Sequence, residues 1–188
     1  MMSDKFFDQE LGTRLQSLRA QQGLSLGALA DRSGVSKTMI ARVERAESSA
    51  TAALLGRLCA GLGVRLSSLI AAADRTATPL SRFPDQPVWR DPKTGYLRRQ
   101  VSPPAASSSL EITEITLPPG KKVAYRAWTA NAYAQQILVL SGKLHLRTGD
   151  ERFVLGKGDC LDFDVLRPNA FENRGKTFGR YLIIIRKH

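Results

Sequence analysis

Cysteine and histidine, the residues on which disulfide, metal and many nucleophile sites depend, are scarce in this sequence. Its 188 residues contain two of each: Cys59, Cys160, His145 and His188. The two cysteines lie about a hundred residues apart, in apolar surroundings and in no pairing motif. This spacing excludes a disulfide framework and predicts reduced core thiols in a cytoplasmic protein.

The two histidines also argue against nucleophilic catalysis. A serine or cysteine nucleophile needs a histidine base that is held among partners. His145 alternates with Leu144 and Leu146, which is typical of an ordinary strand residue, and His188 is the last residue of the sequence. We therefore predict no catalytic residues and expect that the chain is not an enzyme.

Long apolar runs and a leader-like start are missing as well. No stretch approaches the ~20 consecutive apolar residues that a membrane span needs. The opening residues lack a basic segment followed by an apolar run, so we expect no export signal. Both absences predict a cytoplasmic protein without a membrane partner.

Acidic side chains are too few to balance the basic ones. The formal net charge is +11, from 28 lysines and arginines against 17 aspartates and glutamates, and residues 76–188 carry +8 of it. Such an excess favours a polyanionic partner. For residues 76–188 three interpretations stay open: contact with DNA, an anionic ligand, or a solvated basic surface without a specific role.

Residues 1–71 have the pattern of a compact helical domain. Apolar residues repeat at helical spacing, and Gly23, Gly34 and Gly63 end successive segments. Ser25 and Ser36 stand where helix N-caps are expected. The pattern predicts five short helices.

The second half of the chain favours β-strands. A linker is predicted over residues 72–85, where threonine, serine and proline replace the helical period. Short alternating or apolar stretches separated by glycine turns then fill residues 86–188 and predict a sandwich or small barrel. Within residues 110–117 the apolar alternation changes phase near Thr113, which predicts a β-bulge.

Two of the predicted helices are joined by Ser33-Gly34-Val35-Ser36, the pattern of a helix-turn-helix. The glycine permits a left-handed backbone in the tight turn, and Val35 can pack between the helices. Met39 or Ile40, together with Val43, would face the core. The remaining side chains of the second helix are short, polar or basic, as insertion into the major groove of DNA requires.

Residues 11–69 resemble the lambda-repressor/Cro-like (XRE) DNA-binding domain through the segments Leu24–Ala30, Ser33–Ile40 and Arg42–Arg45. The resemblance implies a five-helix fold that binds operator DNA as a homodimer, with half-sites ~34 Å apart. It places the base-reading positions on Lys37, Thr38 and Arg42. The full set of implied DNA-binding residues is Ser25, Ser36, Lys37, Thr38, Ala41, Arg42 and Arg45.

The sequence departs from this family at three places. Leu26-Gly27 stands where many members have a glutamine that contacts a phosphate, which weakens a positioning contact. Ala46 replaces a glycine and Ala50 replaces a proline, each at a cost of about 1 kcal/mol of local stability. Glu44 would have a structural role within its own domain.

Residues 86–188 resemble the cupin barrel, a double-stranded β-helix or jelly roll, that is appended to many XRE regulators. The supporting segments are Trp89–Arg99, Leu117–Gly120, Val139–Leu144 and Leu155–Asp159. Metal-binding cupins have histidine and glutamate ligands at positions that here hold Arg126, Trp128, Gln135 and Asn169. Because a guanidinium, an indole and two amides are poor ligands for a divalent cation, we expect no metal and no cofactor.

The same resemblance implies that a set of polar and aromatic side chains points into the barrel interior: Arg126, Trp128, Tyr133, Gln135, Asn169 and Phe171. A guanidinium among aromatic rings and amides suits a small carboxylate or phosphate. We therefore predict an anionic, amino-acid-sized effector that is anchored by Arg126. In the alternative interpretation no ligand binds, because Arg126 pairs with Asp162, Asp164 or Glu172.

Together these features predict a two-domain DNA-binding transcriptional regulator whose barrel binds an effector or dimerises. Two alternatives stay open. A cupin-type enzyme with a DNA-binding appendage would contain one stoichiometric metal. A protein-interaction adaptor would bind its partner without the salt dependence that phosphate contacts produce.

Overall fold

The computed structural model describes residues 4–70, 78–103, 109–127 and 134–186. The chain contains two compact units, Met1–Ala73 and Asp74–His188. Among the helices in the described ranges, none is both long enough and apolar enough to cross a membrane.

The predicted linker, residues 72–85, lies partly outside the described residues. At its end Phe83–Asp85 form one turn of 3₁₀ helix. The Arg99 guanidinium lies 4.2 Å from the centroid of the Phe83 ring, so this turn packs within the second unit, Asp74–His188. The division of the chain into 1–71, 72–85 and 86–188 stays a prediction.

Local signals define the helices of the first unit. Ser25, Ser36 and Thr51 accept hydrogen bonds from backbone N–H groups at helix starts, over 3.1, 3.3 and 3.3 Å. Gly34 and Gly63 end helices in left-handed conformations, with φ of 65° and 64°. The helices are α1 (Asp4–Gln21), α2 (Leu26–Ser33), α3 (Lys37–Glu44), α4 (Ala52–Leu62) and the short α5 (Leu66–Ile70).

The core of this unit holds α3 in place. Leu15, Leu29, Ile40 and Leu55, one from each of the first four helices, are fully buried. At Gly12 the backbone of α1 approaches α3 so closely that an added Cβ would lie 2.6 Å from a carbonyl oxygen. One side of α3 is therefore fixed against the core.

The second unit consists of two antiparallel sheets. Their strand orders are β1-β2-β3-β10-β5-β8 and β4-β9-β6-β7. The rings of Phe171 and Tyr181 stack at 6.0 Å between centroids and join the two sheets across the interior. The strands are β1 (Val88–Arg90), β2 (Leu97–Gln100), β3 (Leu110–Leu117), β4 (Lys122–Tyr125), β5 (Ala134–Ser141), β6 (Leu144–Thr148), β7 (Glu151–Leu155), β8 (Cys160–Asp162), β9 (Asn169–Glu172) and β10 (Gly179–Arg186).

The predicted bulge near Thr113 is wrong. Strand β3 pairs with β10 residue by residue from Leu110 to Leu117 without a register shift. The alternation of buried and more exposed side chains keeps one phase along the whole strand. Glu111 and Thr113 are buried although both are polar, and the apolar Ile112 between them is only half-buried. Polar side chains therefore enter the interior of the second unit.

The two cysteines have different surroundings. Cys59 is fully buried in α4, as predicted. Cys160 is exposed, so its predicted burial is wrong. It lies on β8, a three-residue strand at the edge of its sheet, where only one neighbouring strand can cover it.

His145 lies on β6 and is half-buried between the buried Leu144 and Leu146, in agreement with an ordinary strand position. His188 lies outside the described residues.

Candidate nucleic-acid interface and barrel interior

Helices α2 and α3 form the helix-turn-helix that the sequence predicts. Gly34 donates its N–H to the carbonyl of Ala30 over 2.8 Å and turns the chain. Val35 is buried between the helices, and its N–H donates to Ser33 Oγ over 3.2 Å. These contacts satisfy the backbone groups at the end of α2 and orient α3.

Helix α3 has a buried side and an exposed side. Ile40 and Val43 are buried in the core, and Met39 is half-buried. On the opposite side Lys37, Thr38 and Arg42 are exposed. The other predicted DNA contacts are also accessible: Ser25, Ser36 and Arg45 are exposed and Ala41 is half-buried. The exposed side thus carries two cations and a hydroxyl within a single helix.

Three of these predicted contacts already have other partners. The side-chain oxygens of Ser25 and Ser36 accept the capping hydrogen bonds of α2 and α3. Arg45 forms an exposed ion pair with Glu47, at 2.6 Å between Nε and Oε1. A hydroxyl can still donate while it accepts, and exposed ion pairs are weak, so none of these contacts prevents binding to phosphate.

Gly27 accommodates the side chain of Lys37. A Cβ at Gly27 would lie 2.9 Å from Lys37 Cε and 3.2 Å from its Nζ. The departure from the family's glutamine therefore leaves room for the lysine beside the first turn of α2, where its ammonium group can meet a phosphate.

Glu44 fixes α3 to α1. Its carboxylate accepts two hydrogen bonds from the Arg19 guanidinium, from Nε at 2.6 Å and from Nη2 at 2.8 Å. Arg19 Nη1 also donates to the carbonyl of Leu24 over 2.8 Å. The Glu44 side chain is 6% exposed and that of Arg19 is 15% exposed, so water competes weakly for this bidentate pair. The predicted structural role of Glu44 fits these contacts.

Ala46 has a strained backbone. Its φ of 54° lies in the left-handed region, where a Cβ costs roughly 1–2 kcal/mol. We expect Ala46→Gly to raise the free energy of unfolding by about 1 kcal/mol, because glycine adopts this conformation freely. Urea unfolding of the full chain measures this change.

Ala30→Gly, within α2, provides the matched control and should lower the free energy of unfolding by up to about 1 kcal/mol. If both substitutions destabilised the protein to the same extent, Ala46 would not be strained.

The predicted effector residues fall into three groups. Gln135, Asn169 and Phe171 are buried in the second unit. Arg126 is exposed, so the prediction that it points inward is wrong: the alternation of β4 turns Val123 and Tyr125 inward and the next side chain outward. Trp128 and Tyr133 lie outside the described residues.

The acids proposed as alternative partners of Arg126 have other partners. Glu172 pairs with Arg174 at 2.8 Å and Asp164 with Arg167 at 3.8 Å. Asp162 accepts a hydrogen bond from Gln136 over 3.5 Å. Among the described residues, none of the three forms an ion pair with Arg126.

The cupin resemblance implies a metal, but the side chains at those positions do not fit one. Asn169 uses both N–H bonds of its amide, to the carbonyls of Arg167 (2.9 Å) and Asp164 (3.2 Å). Gln135 supplies a second buried amide, and Arg126 is an exposed guanidinium. Amides and a guanidinium lack the anionic or imidazole donors that transition metals prefer.

Sequence reasoning missed a buried polar group formed by Tyr96, Arg98, Thr113 and Tyr125. Arg98 donates from Nη2 to Thr113 Oγ1 over 3.2 Å. The hydroxyls of Tyr96 and Tyr125 lie 3.4 Å apart. The sequence did carry a signal for this group. Tyr96, Arg98 and Gln100 are spaced two residues apart, so in a strand their side chains lie on the same side.

Part of the charge of the second unit lies on its surface. A groove of about 380 Å³ beside β6, β7 and β9 is lined by five basic side chains, four apolar residues and one carboxylate, that of Glu172. The basic members are Lys122, His145, Arg147, Arg152 and Arg174. Part of the basic charge of this unit therefore lines a surface groove, whereas Arg98 is buried.

Comparisons with known proteins match the helical unit most specifically. The helix-turn-helix domain family HTH_31 matches residues 10–72. The HTH-type transcriptional regulator SutR of Escherichia coli K12 is 45% identical over 76 residues. That match covers 40% of this chain and 42% of SutR, so the chain aligns with less than half the length of this curated relative.

Solved structures match a larger part of the chain. An HTH_3 family transcriptional regulator from Vibrio cholerae is 26% identical, with a TM-score of 0.81 over 99% of both chains. The Cupin_2 domain of an XRE family transcriptional regulator from Enterobacter cloacae matches 50% of this chain and 97% of its own, at 18% identity and a TM-score of 0.45.

One comparison corrects the expectation about catalysis. Hydroxypropylphosphonic acid epoxidase from S. wedmorenis is matched over 97% of this chain and 99% of its own, at 20% identity and a TM-score of 0.48. A related match is described as FeII HppE. The prediction that the chain is not an enzyme is therefore wrong as an exclusion, since an iron enzyme is among its structural matches. This likeness assigns no activity to the chain.

The helix-turn-helix of α2 and α3, the two-sheet second unit and the full-length likeness to the Vibrio cholerae regulator agree with one another. Residues 10–72 belong to the helix-turn-helix domain family, and the chain as a whole is similar in fold to an HTH_3 family transcriptional regulator.

Proposed function

We propose that the chain is a sequence-specific DNA-binding regulator that inserts α3 into the major groove. The observation that carries this proposal is the exposed trio Lys37, Thr38 and Arg42 on a helix whose other side is held in the core. The bidentate pair of Arg19 with Glu44 fixes that helix, so the trio is presented in one orientation.

The chemistry of the trio suits base edges. Arg42 can donate two hydrogen bonds to guanine O6 and N7, a contact worth ~1–3 kcal/mol of discrimination. Lys37 can donate to guanine or to phosphate, and Thr38 offers a hydroxyl to a base and a methyl group to thymine. The interface is completed by residues that chiefly contact the sugar-phosphate backbone of DNA: Ser25, Ser36, Ala41 and Arg45.

Tight binding requires two copies of the reading helix, because one short helix buries too little surface. We propose a homodimer whose reading helices lie ~34 Å apart, one turn of DNA. Residues 1–71 read DNA, residues 86–188 sense and dimerise, and residues 72–85 connect them. An effector in the barrel acts through its different affinities for two relative poses of the domains.

The effector is a small anion, because the interior of the second unit contains a guanidinium, tyrosine hydroxyls and amides. Gln135, Asn169 and Phe171 remain in the proposed site. The predicted Trp128 and Tyr133 lie outside the described residues. Arg126 is not its anchor, since its side chain is exposed.

The salt dependence of duplex binding tests the proposal against a protein-interaction adaptor. Fluorescence anisotropy with the full chain and a duplex enriched by selection should show an affinity loss of at least about 100-fold between roughly 50 and 200 mM salt, from counterion release. Absence of duplex binding at low salt, or an affinity independent of salt, would favour the adaptor.

A further inference from the structure

The strand register places the polar groups of the second unit at one end of its interior. Arg98, Ile115 and Tyr181 lie in one cross-strand row of β2, β3 and β10. The last row whose side chains face the interior contains Glu111 and Gln135 on either side of Ile185. The interior is therefore apolar toward Leu117, which is fully buried at the other end of β3, and polar from Arg98 to Glu111.

Arg98 is a buried cation whose side-chain hydrogen-bond partners, Thr113 and Tyr96, are neutral groups. The residue is 9% exposed, and its hydrogen bond to Thr113 Oγ1 goes to a neutral group that itself donates to Gln100 over 3.3 Å. Among the described residues, no carboxylate lies within 4.0 Å of its guanidinium, although Glu111 acts on it electrostatically. A guanidinium has five N–H donors, and a buried charge without a counter-ion is costly.

The hydroxyls around Arg98 are also donors. Burial, and then the neighbouring Tyr96, raise the pKa of Tyr125 well above its ordinary value. Burial also raises the pKa of Tyr181, against the opposing effect of Arg98. Both phenols are therefore protonated at neutral pH. They can donate hydrogen bonds to an anion, but as neutral groups they cannot serve as the counter-ion of Arg98.

One acceptor faces the same region. Asn169 pairs with Tyr125 across β9 and β4, and its Oδ1 is buried. Within the described part of the chain this oxygen has no hydrogen-bond partner. A ligand with an N–H or O–H group in addition to its anionic group would satisfy it.

We propose that Arg98 anchors a small oxyanion, a carboxylate or a phosphate, with Tyr96, Thr113 and Tyr125 as additional hydrogen-bond partners and Asn169 Oδ1 as acceptor for a donor group of the ligand. The proposal rests on the effector role proposed above and names its binding group. A planar guanidinium holds a carboxylate or phosphate through two parallel hydrogen bonds.

Calorimetry and thermal unfolding of the full chain test this site. The probes are L-lactate, L-serine, benzoate and inorganic phosphate, with lactamide and benzamide as uncharged counterparts, so the carboxylate and phosphate sources are distinguished. We expect at least one anion to bind saturably and raise Tm, and its uncharged counterpart to have no effect. Arg98→Gln should weaken that binding at least tenfold.

Two matched variants serve as controls. Arg99→Gln removes the next arginine of β2, whose guanidinium lies over Phe83, and Arg126→Ala removes the exposed arginine. Both should bind the anion as the unmodified chain does. If Arg98→Gln does not fold, Thr113→Val, which removes only one hydrogen-bonding group of the site, should weaken binding severalfold.

The proposal is overturned if no anion of the panel binds, if Arg98→Gln binds undiminished, or if Arg126→Ala abolishes binding. Its failure can be distinguished from failure of the DNA-reading proposal. Without anion, Arg98→Gln should bind duplex normally, whereas a variant without the α3 trio should lose duplex binding and keep the anion.

Discussion

Replacing Lys37, Thr38 and Arg42 together by alanine will lower the affinity of the full chain for its selected duplex by at least about 100-fold. Two lost base contacts of about 1.4 kcal/mol each, near the lower end of the ~1–3 kcal/mol range, already amount to about 100-fold, since each 1.4 kcal/mol is tenfold. All three side chains are exposed, so the folded state should be retained and Tm should hardly change. Anisotropy at fixed salt measures the affinity.

A charge-matched variant separates base reading from general attraction. Lys143 and Lys157 lie exposed in turns of the second unit, and their replacement by alanine removes the same two positive charges. We expect this control to lose only a few-fold in affinity. Equal losses in the two variants would contradict a reading role for α3 and leave only sequence-independent electrostatics.

The second large effect concerns the stability of the helical unit. Glu44→Ala leaves the guanidinium of Arg19 partly buried, with the carbonyl of Leu24 as its one remaining hydrogen-bond partner among the described residues. Breaking a buried pair in this way costs about 3 kcal/mol. Urea unfolding should therefore show a markedly lower midpoint, and duplex binding should weaken at temperatures where the unit begins to unfold.

Glu47→Ala is the matched control for this prediction. Glu47 lies three residues after Glu44, beyond the end of α3, and its exposed carboxylate pairs with Arg45 at the same distance of 2.6 Å. Exposed pairs contribute little because water screens them, so the midpoint should hardly move. If the two substitutions had the same small effect, the Arg19–Glu44 pair would not be what fixes α3.

Much of the helical unit was predictable because its signals are local. Serine caps at 25 and 36 and the glycine at 34 need only their neighbours in sequence to act. The side of α3 that carries Lys37 and Arg42 follows from helical periodicity and the position of Val43. The bond from Glu44 to Arg19 joins two helices, and the sequence indicated its structural role but not its partner.

The interior of the barrel was less predictable because strand patterns report burial only when the interior is apolar. The hydrophobic Ile112 is only half-buried and the polar Glu111 and Thr113 are buried, so hydrophobicity suggested a bulge that does not exist. Arg98 was overlooked because arginine is ordinarily a surface residue. Arg126 was placed inward by the cupin resemblance, whereas the alternation of β4, with Val123 buried and Ala124 exposed, turns it outward.

The most direct measurement of the central claim is the ratio of two affinities of the full chain at physiological salt, for a selected duplex and for the same bases in shuffled order. Reading of base edges by α3 predicts a ratio of at least ~1,000, the lower end for specific DNA-binding proteins. A ratio near one would contradict it.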